Sequence, residues 1–240
     1  MERLSKYLAH FSAFSRRRSE ELIRDGRVKV NGIVVSEPQY KVLPGVDTIV
    51  LDGQSIDPNI KHINIALYKP AGYISDLLDV RNRRVARELI DMDARIFPVG
   101  RLDYNSEGLI IFTNDGDLAN TVMHPRHGVE KEYLVKLKGI LKSDEMLRMK
   151  KGIIIEGDQY KVRSIKYAGS SIKNTWYSVL VDEGKNRMIR KIGSAIGHPV
   201  LKLKRIRIGN LRLGKLRPGE YRFFEKKELL GITPRGSHTR

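Results

Sequence analysis

Apolar residues recur with helical spacing at the start of the chain. Leu4, Tyr7, Leu8 and Phe11 fall at i, i+3, i+4 and i+7, one stripe along a helix over residues 4–11. Ser15 stands where an N-cap belongs, ahead of a second helix through Asp25 in which Leu22 and Ile23 face inward. Gly26 is its stop signal. The period then shortens. Val28 and Val30 precede Asn31-Gly32, and Ile33-Val34-Val35 follow. Asn-Gly between two β-rich runs predicts a hairpin, because both turn positions need positive φ. Residues 46–52 add a strand, and the polar, turn-rich residues 53–62 read as a linker.

A longer region follows. Apolar runs predict strands at 63–68, 109–113, 133–137, 152–156, 160–165 and 176–181, with helices at 84–91 and 187–196. In residues 201–208 the apolar positions change parity near Lys204-Arg205, which one β-bulge would produce. Strands outnumber helices without βαβ regularity. The expected class is therefore α+β: a small N-terminal unit over 1–60, then a larger one over 61–232. The larger unit is built on a mixed, mainly antiparallel sheet with flanking helices. Residues 233–240 read as a tail.

Charge changes this picture. The chain of 240 residues has a net charge of +17. Residues 1–60 carry 9 Lys and Arg against 8 acidic residues, whereas 184–240 carry 16 against 3. Such clustering argues for one surface facing a polyanion, nucleic acid before membrane. Cysteine is absent, which excludes disulfides, thiolate metal sites and a cysteine nucleophile, and suits a cytoplasmic protein. No apolar run approaches the length of a membrane span. There is no P-loop and no dinucleotide fingerprint. The proline in His124-Pro125-Arg126-His127 breaks a helical metal spacing, and Asn114-Asp115-Gly116-Asp117 lacks the later glutamate of a calcium loop. No cofactor and no metal are expected.

The candidate chemistry lies in Gly100-Arg101-Leu102-Asp103-Tyr104-Asn105-Ser106-Glu107-Gly108-Leu109, which runs on to Thr113-Asn114-Asp115-Gly116. By itself this is a carboxylate in a glycine-bounded segment before a buried strand, with an arginine two residues away. The segment resembles the catalytic motif of the pseudouridine synthases that modify single ribosomal uridines and carry an N-terminal S4 RNA-binding domain. Lys69-Pro70-Ala71-Gly72-Tyr73, Met123-His124-Pro125, Lys131-Glu132-Tyr133-Leu134-Val135 and Glu183-Gly184-Lys185-Asn186-Arg187-Met188-Ile189-Arg190-Lys191 continue the match. The first unit is similar to the S4 domain itself, most clearly in Gly26-Arg27-Val28-Lys29-Val30-Asn31-Gly32. Together the matches cover residues 1 to about 230.

The resemblance implies roles residue by residue. Asp103 is the essential carboxylate of an enzyme that detaches uracil from C1′, turns it and rejoins it through C5. A covalent adduct and charge stabilisation at the sugar are both compatible with the sequence. Tyr133 stacks on the base and is a candidate to take the C5 proton. Arg190 pairs with Asp103, and Ile189 and Leu102 wall the pocket. Arg101 contacts RNA and fills the gap left by a flipped nucleotide. Arg187 is a further RNA contact, and Arg16, Arg17, Arg18, Arg27 and Lys29 meet phosphates from the first unit. The partner expected is ribosomal RNA or a subunit assembly intermediate, met by a monomer.

Departures are small. Met188 stands where many relatives have Gln, and Ser106 replaces the commoner Thr. Asn186-Arg187 looks more like the large-subunit branch of the family. The rival reading is a non-catalytic S4-type RNA-binding or ribosome-assembly factor, which has no need of Asp103, Tyr133 and Arg190 together. An S4-linked methyltransferase would need a Gly-rich nucleotide loop, and a membrane-surface protein a strongly amphipathic helix.

Overall fold

The structure is a computed structural model that describes residues 1–231 except 13, 60, 78–81 and 172. The expected tail lies outside the described residues. The chain divides into two compact units, Met1–His62 and Ile63–Arg240.

The first unit runs β1 (Glu2–Arg3), α1 (Leu4–Phe11), α2 (Arg16–Arg24), β2 (Val28–Val30), β3 (Ile33–Val34), β4 (Lys41–Val42), β5 (Ile49–Leu51) and β6 (Gln54–Ser55). The apolar stripe of α1 is buried through Leu4, Tyr7 and Leu8 against Leu22 and Ile23 of α2 and Val28, Val30, Ile49 and Leu51 of the sheet. The Ser15 side chain accepts from the Arg18 N–H at 3.2 Å, so the cap is made as its position predicted. Asn31 and Gly32 adopt φ of 50° and 85°, the left-handed pair a tight hairpin needs. Two features depart from the sequence reading. The strand expected over 46–52 shortens to β5, because Val46 and Asp47 turn back to the Leu43 carbonyl. Residues 53–56 are not linker: β6 pairs with β5, and Ile56 packs on the core.

The second unit contains β7 (Asn64–Lys69), β8 (Phe97–Val99), β9 (Glu107–Thr113), α3 (Gly116–Met123), β10 (Lys131–Lys138), α4 (Ser143–Lys151), β11 (Ile153–Ile155), β12 (Asp158–Tyr160), β13 (Ser164–Ser171), β14 (Asn174–Val181), α5 (Met188–Ala195), β15 (Val200–Ile208), β16 (Leu211–Arg212), β17 (Tyr221–Phe223) and α6 (Lys226–Leu230). One sheet of nine strands dominates, in the order β13-β14-β10-β15-β9-β7-β17, with β16 on β15 and β8 on β9. Every pairing in it is antiparallel except β15 with β9. The class is α+β, as the pattern predicted.

Apolar packing explains the layers. β7 and β9 are buried along almost their whole length, so both faces are covered. Ala66, Tyr68, Leu109 and Ile111 meet Leu118 and Val122 of α3 and Leu229 of α6. Ile65, Leu67, Ile110 and Phe112 meet Ala86, Ile90, Ile96 and Leu102. A third cluster places Ile189 and Ile192 of α5 and Met149 of α4 against Val135, Leu137, Tyr177 and Val179.

The helix expected at 84–91 reduces to one 3-10 turn over Ala86–Leu89, since Val85 is drawn into a parallel bridge with Ile74. The strand expected at 160–165 breaks into β12 and β13, where the Val162 N–H turns to the Met149 carbonyl. Asn114-Asp115-Gly116-Asp117 is a helix start: Asp115 accepts from the N–H groups of Asp117 and Leu118, each at 2.9 Å. Strand β15 carries two register shifts against β10. One places Ile206 as the extra residue between Arg205 opposite Tyr133 and Arg207 opposite Glu132. The other lies at Leu201, between Val200 opposite Leu137 and Lys202 opposite Lys136.

Candidate active site

The turn after β8 presents Asp103. Its carbonyl accepts from the Ser106 N–H at 3.0 Å, which closes a tight turn at the head of β9. The preceding residue is held in both directions. The Leu102 N–H donates to Ser75 Oγ at 3.0 Å, and Ser75 Oγ donates to the Leu102 carbonyl at 2.9 Å. Ser75 is buried, so these bonds fix the backbone beside Asp103 in a protected place.

Arg190, on the first turns of α5, meets this turn. Its Nε lies 3.4 Å from Asp103 Oδ2. Its Nη2 donates to Ser106 Oγ at 3.1 Å and to the Asn105 carbonyl at 3.4 Å. Ser106 is buried, so the hydroxyl that serine shares with the commoner threonine has a definite task here. The Arg190 side chain is 17% exposed and that of Asp103 38%. The carboxylate is thus half-open to solvent rather than buried, with a more enclosed cation behind it. Coulomb attraction and the shared hydroxyl orient the acid while leaving one side accessible.

A cavity of about 720 Å³ opens beside Asp103. Leu102, Tyr133 and Ile189 contribute to its wall, and Arg101 and Arg187 to its rim. Arg190 reaches the site through Asp103. Among the described residues, the cations lining the cavity are Arg83, Arg101, Lys131, Lys185, Arg187 and Arg205, against Asp76, Asp103 and Glu183. The balance favours an anionic ligand. Arg187 holds a left-handed φ of 51° at the cap of α5.

Two buried cations lie beneath. Lys69 is fully enclosed, and its Nζ donates to the carbonyls of Pro70 at 2.8 Å and Tyr73 at 2.7 Å. Burial pulls its pKa down to about 8, which Asp103 partly opposes and Arg205 reinforces. Arg205 is 2% exposed; its Nε donates to the Leu109 carbonyl at 2.7 Å. Neither Arg205 nor Ser75 was singled out from the sequence. Lys69 lay within a matched segment but carried no role.

The first unit presents Arg16, Arg17, Arg18, Arg27 and Lys29 as exposed side chains. Arg16 and Arg18 pair with Glu20 and Glu21, at 3.9 and 2.8 Å. Arg27 Nε donates to Asp52 at 2.8 Å. Exposed pairs of this kind contribute little to stability. The C-terminal excess of charge is not one bare surface, as its clustering suggested. Arg205 is buried, Arg207 pairs with Glu130 and Glu132, Arg222 with Glu228 and Lys226 with Asp115. For Arg207 and Lys226 the neutralising carboxylates come from residues distant in sequence.

The larger unit thus joins a mixed sheet, a carboxylate–arginine pair and a cation-lined cavity, an arrangement suited to an enzyme that acts on an anionic substrate. The chain belongs to the RNA pseudouridylate synthase family, whose model matches residues 63–195, and an S4 domain model matches residues 2–47. Among its relatives is a protein of Aquifex aeolicus described as an uncharacterized RNA pseudouridine synthase, 43% identical over 96% of this chain and 93% of that one. The ribosomal large subunit pseudouridine synthase B of Bacillus subtilis is 37% identical, over 99% of this chain and 98% of its own. A crystal structure of a pseudouridylate synthase shares 25% identity and a TM-score of 0.66, over 95% of this chain and 98% of that chain.

Proposed function

We propose that this protein isomerises uridine to pseudouridine in the RNA of the large ribosomal subunit, with Asp103 as the catalytic carboxylate. One observation carries the assignment of residues: Asp103, paired with Arg190, lines the same cavity as Tyr133. The extent of the Bacillus subtilis relative's identity supports the large-subunit RNA as substrate.

Chemistry at C1′ and C5 needs the nucleotide out of its stack, so the target uridine enters the cavity flipped. Asp103 acts at C1′ as the N1–C1′ bond breaks, and Arg190 keeps the carboxylate oriented. Uracil turns between Tyr133 and the apolar wall of Leu102 and Ile189. The C5–C1′ bond then forms, C5 loses its proton by way of Tyr133, and N1 gains one. Nothing is oxidised or reduced, so the reaction has no need of a cofactor. Arg101 contacts the RNA and fills the gap that the flipped nucleotide leaves, and Arg187 is a further RNA contact. Arg16, Arg17, Arg18, Arg27 and Lys29 of the first unit hold the backbone of the structured RNA. The protein works as a monomer in the cytoplasm, on ribosomal RNA or a subunit assembly intermediate.

Ribosomal RNA tritiated at uridine C5 tests this reading, because forming the C5–C1′ bond expels the label to water. Wild type releases tritium. Asp103→Asn binds the RNA as wild type does and releases it at least about 10³-fold more slowly. Tight binding by wild type without release, from free RNA, assembly particles and subunits alike, would overturn the proposal.

A further inference from the structure

We propose that Arg205 is the positioning residue for Tyr133, setting the tyrosine hydroxyl toward the target base and tying it to the backbone that carries Asp103. The inference rests on the reading of Tyr133 given above.

Three observations support it. First, Arg205 and Tyr133 are direct partners across β15 and β10, and the bulge at Ile206 begins immediately after the pair. Without that extra residue β15 would keep one parity. With it, Leu203 and Arg205 turn inward on one side of the bulge and Ile208 on the other. Second, the Arg205 guanidinium reaches three separate groups. Nε donates to the Leu109 carbonyl on β9 at 2.7 Å. Nη1 lies 3.4 Å from the Tyr133 hydroxyl and 3.5 Å from the Arg101 carbonyl, two residues from Asp103. The first contact is an anchor. The two long ones have the geometry of bonds that tighten when a substrate closes the site. Third, Arg205 is almost wholly buried, and its Nη2 has no hydrogen-bond partner among the described residues. A buried N–H without a partner is costly, so packing alone does not account for an arginine here.

The chemistry gives the contact a purpose. Once C1′ has joined C5, that carbon holds both the sugar and a hydrogen. The C5–H bond breaks, its electron pair restores the C5–C6 double bond, and the proton passes by way of the Tyr133 oxygen to water. The Tyr133 oxygen can take the C5 proton as its own proton leaves to water, and an N–H donor binds an oxygen more strongly when it carries the negative charge that this loss gives it. Arg205 therefore steadies the oxygen during this step without touching the base.

The test compares R205M, R205K, Y133F and the R205M/Y133F double variant. Pseudouridine formation is measured on RNA carrying protium or deuterium at uridine C5, with RNA affinity and circular dichroism alongside. R205M slows conversion about 10²-fold, the loss expected of a misplaced reacting group. It also enlarges the deuterium effect relative to wild type, because C5–H cleavage is the step impaired. R205K restores part of the rate, and RNA affinity stays within about twofold of wild type. In the Y133F background R205M adds less than about twofold, since coupled residues do not add. Should R205M fail to fold, R205K is judged by the same isotope effect and by its own double variant with Y133F. Additive losses, an unchanged isotope effect or a parallel fall in RNA affinity would overturn the role of Arg205. Failure of wild type to convert uridine at all would instead sink the enzymatic reading on which it rests.

Discussion

Lys69 places an amine in an enclosed site near the Asp103 turn and answers it with two backbone carbonyls. Burial lowers its pKa from 10.5 to about 8. Between those values the unfolded chain holds a proton at Lys69 that the folded chain does not. Stability contributed at this residue therefore rises with pH from about 8 to about 10.5. Wild type gains stability relative to Lys69→Met across that window, in denaturant titrations near pH 7 and near pH 10. A difference that stays flat would mean the lysine titrates normally. Asp103 and Arg190 were legible in the sequence because a dense motif surrounds each of them. Arg205 was not. It sits in a basic strand among Lys202, Lys204 and Arg207, and only the bulge decides which of these cations turns inward.

The turn–strand element holding Asp103 depends on one close approach. Gly108 pairs with Arg205 where β9 and β15 run parallel, and its φ is +106°. A Cβ at this position would lie 2.2 Å from the Arg205 carbonyl oxygen. No side chain fits there without separating the strands. Gly108→Ala is expected to lose about 1–3 kcal/mol of stability in urea titrations. It is also expected to impair catalysis, since the same displacement moves Arg205 from Tyr133 and the Leu109 carbonyl. A variant of native stability and full activity would show that the strands yield easily. Ser75 makes a milder case. Ser75→Ala removes both of its bonds to Leu102 and leaves buried backbone groups unpaired, for about 1–3 kcal/mol. Thermal melts and tritium release on the same sample would read both effects. The sequence marked Gly108 as a motif position, but its reason is a neighbour almost a hundred residues further on.

At the scale of the whole molecule, a charge of +17 makes RNA binding dependent on salt. The exposed cations carry that dependence, because an enclosed and paired one such as Arg207 is already committed. Arg17 and Lys29 have no carboxylate partner among the described residues. Replacing both with Gln is expected to reduce the slope of log affinity against log salt by about 1–2 and to weaken different RNA sequences alike. An unchanged slope would place the RNA on another face.

Much of the fold followed from the sequence alone. The first helix pair, the Asn31-Gly32 hairpin and the α+β class rest on short-range physics: apolar period, a capping hydroxyl, a turn that needs positive φ. Membership of a family came from motifs written contiguously in the chain. The tertiary structure decided what depends on distant partners. It reduced the helix at 84–91 to a single 3-10 turn, cancelled much of the C-terminal charge, and drew β6 out of an apparent linker. It also brought Arg190 to Asp103 and Arg205 to Tyr133. Local preference is set by a few neighbouring residues and can be read from them. Register, bulge position and the pairing of buried charges are settled only when separate strands compete for the same interior.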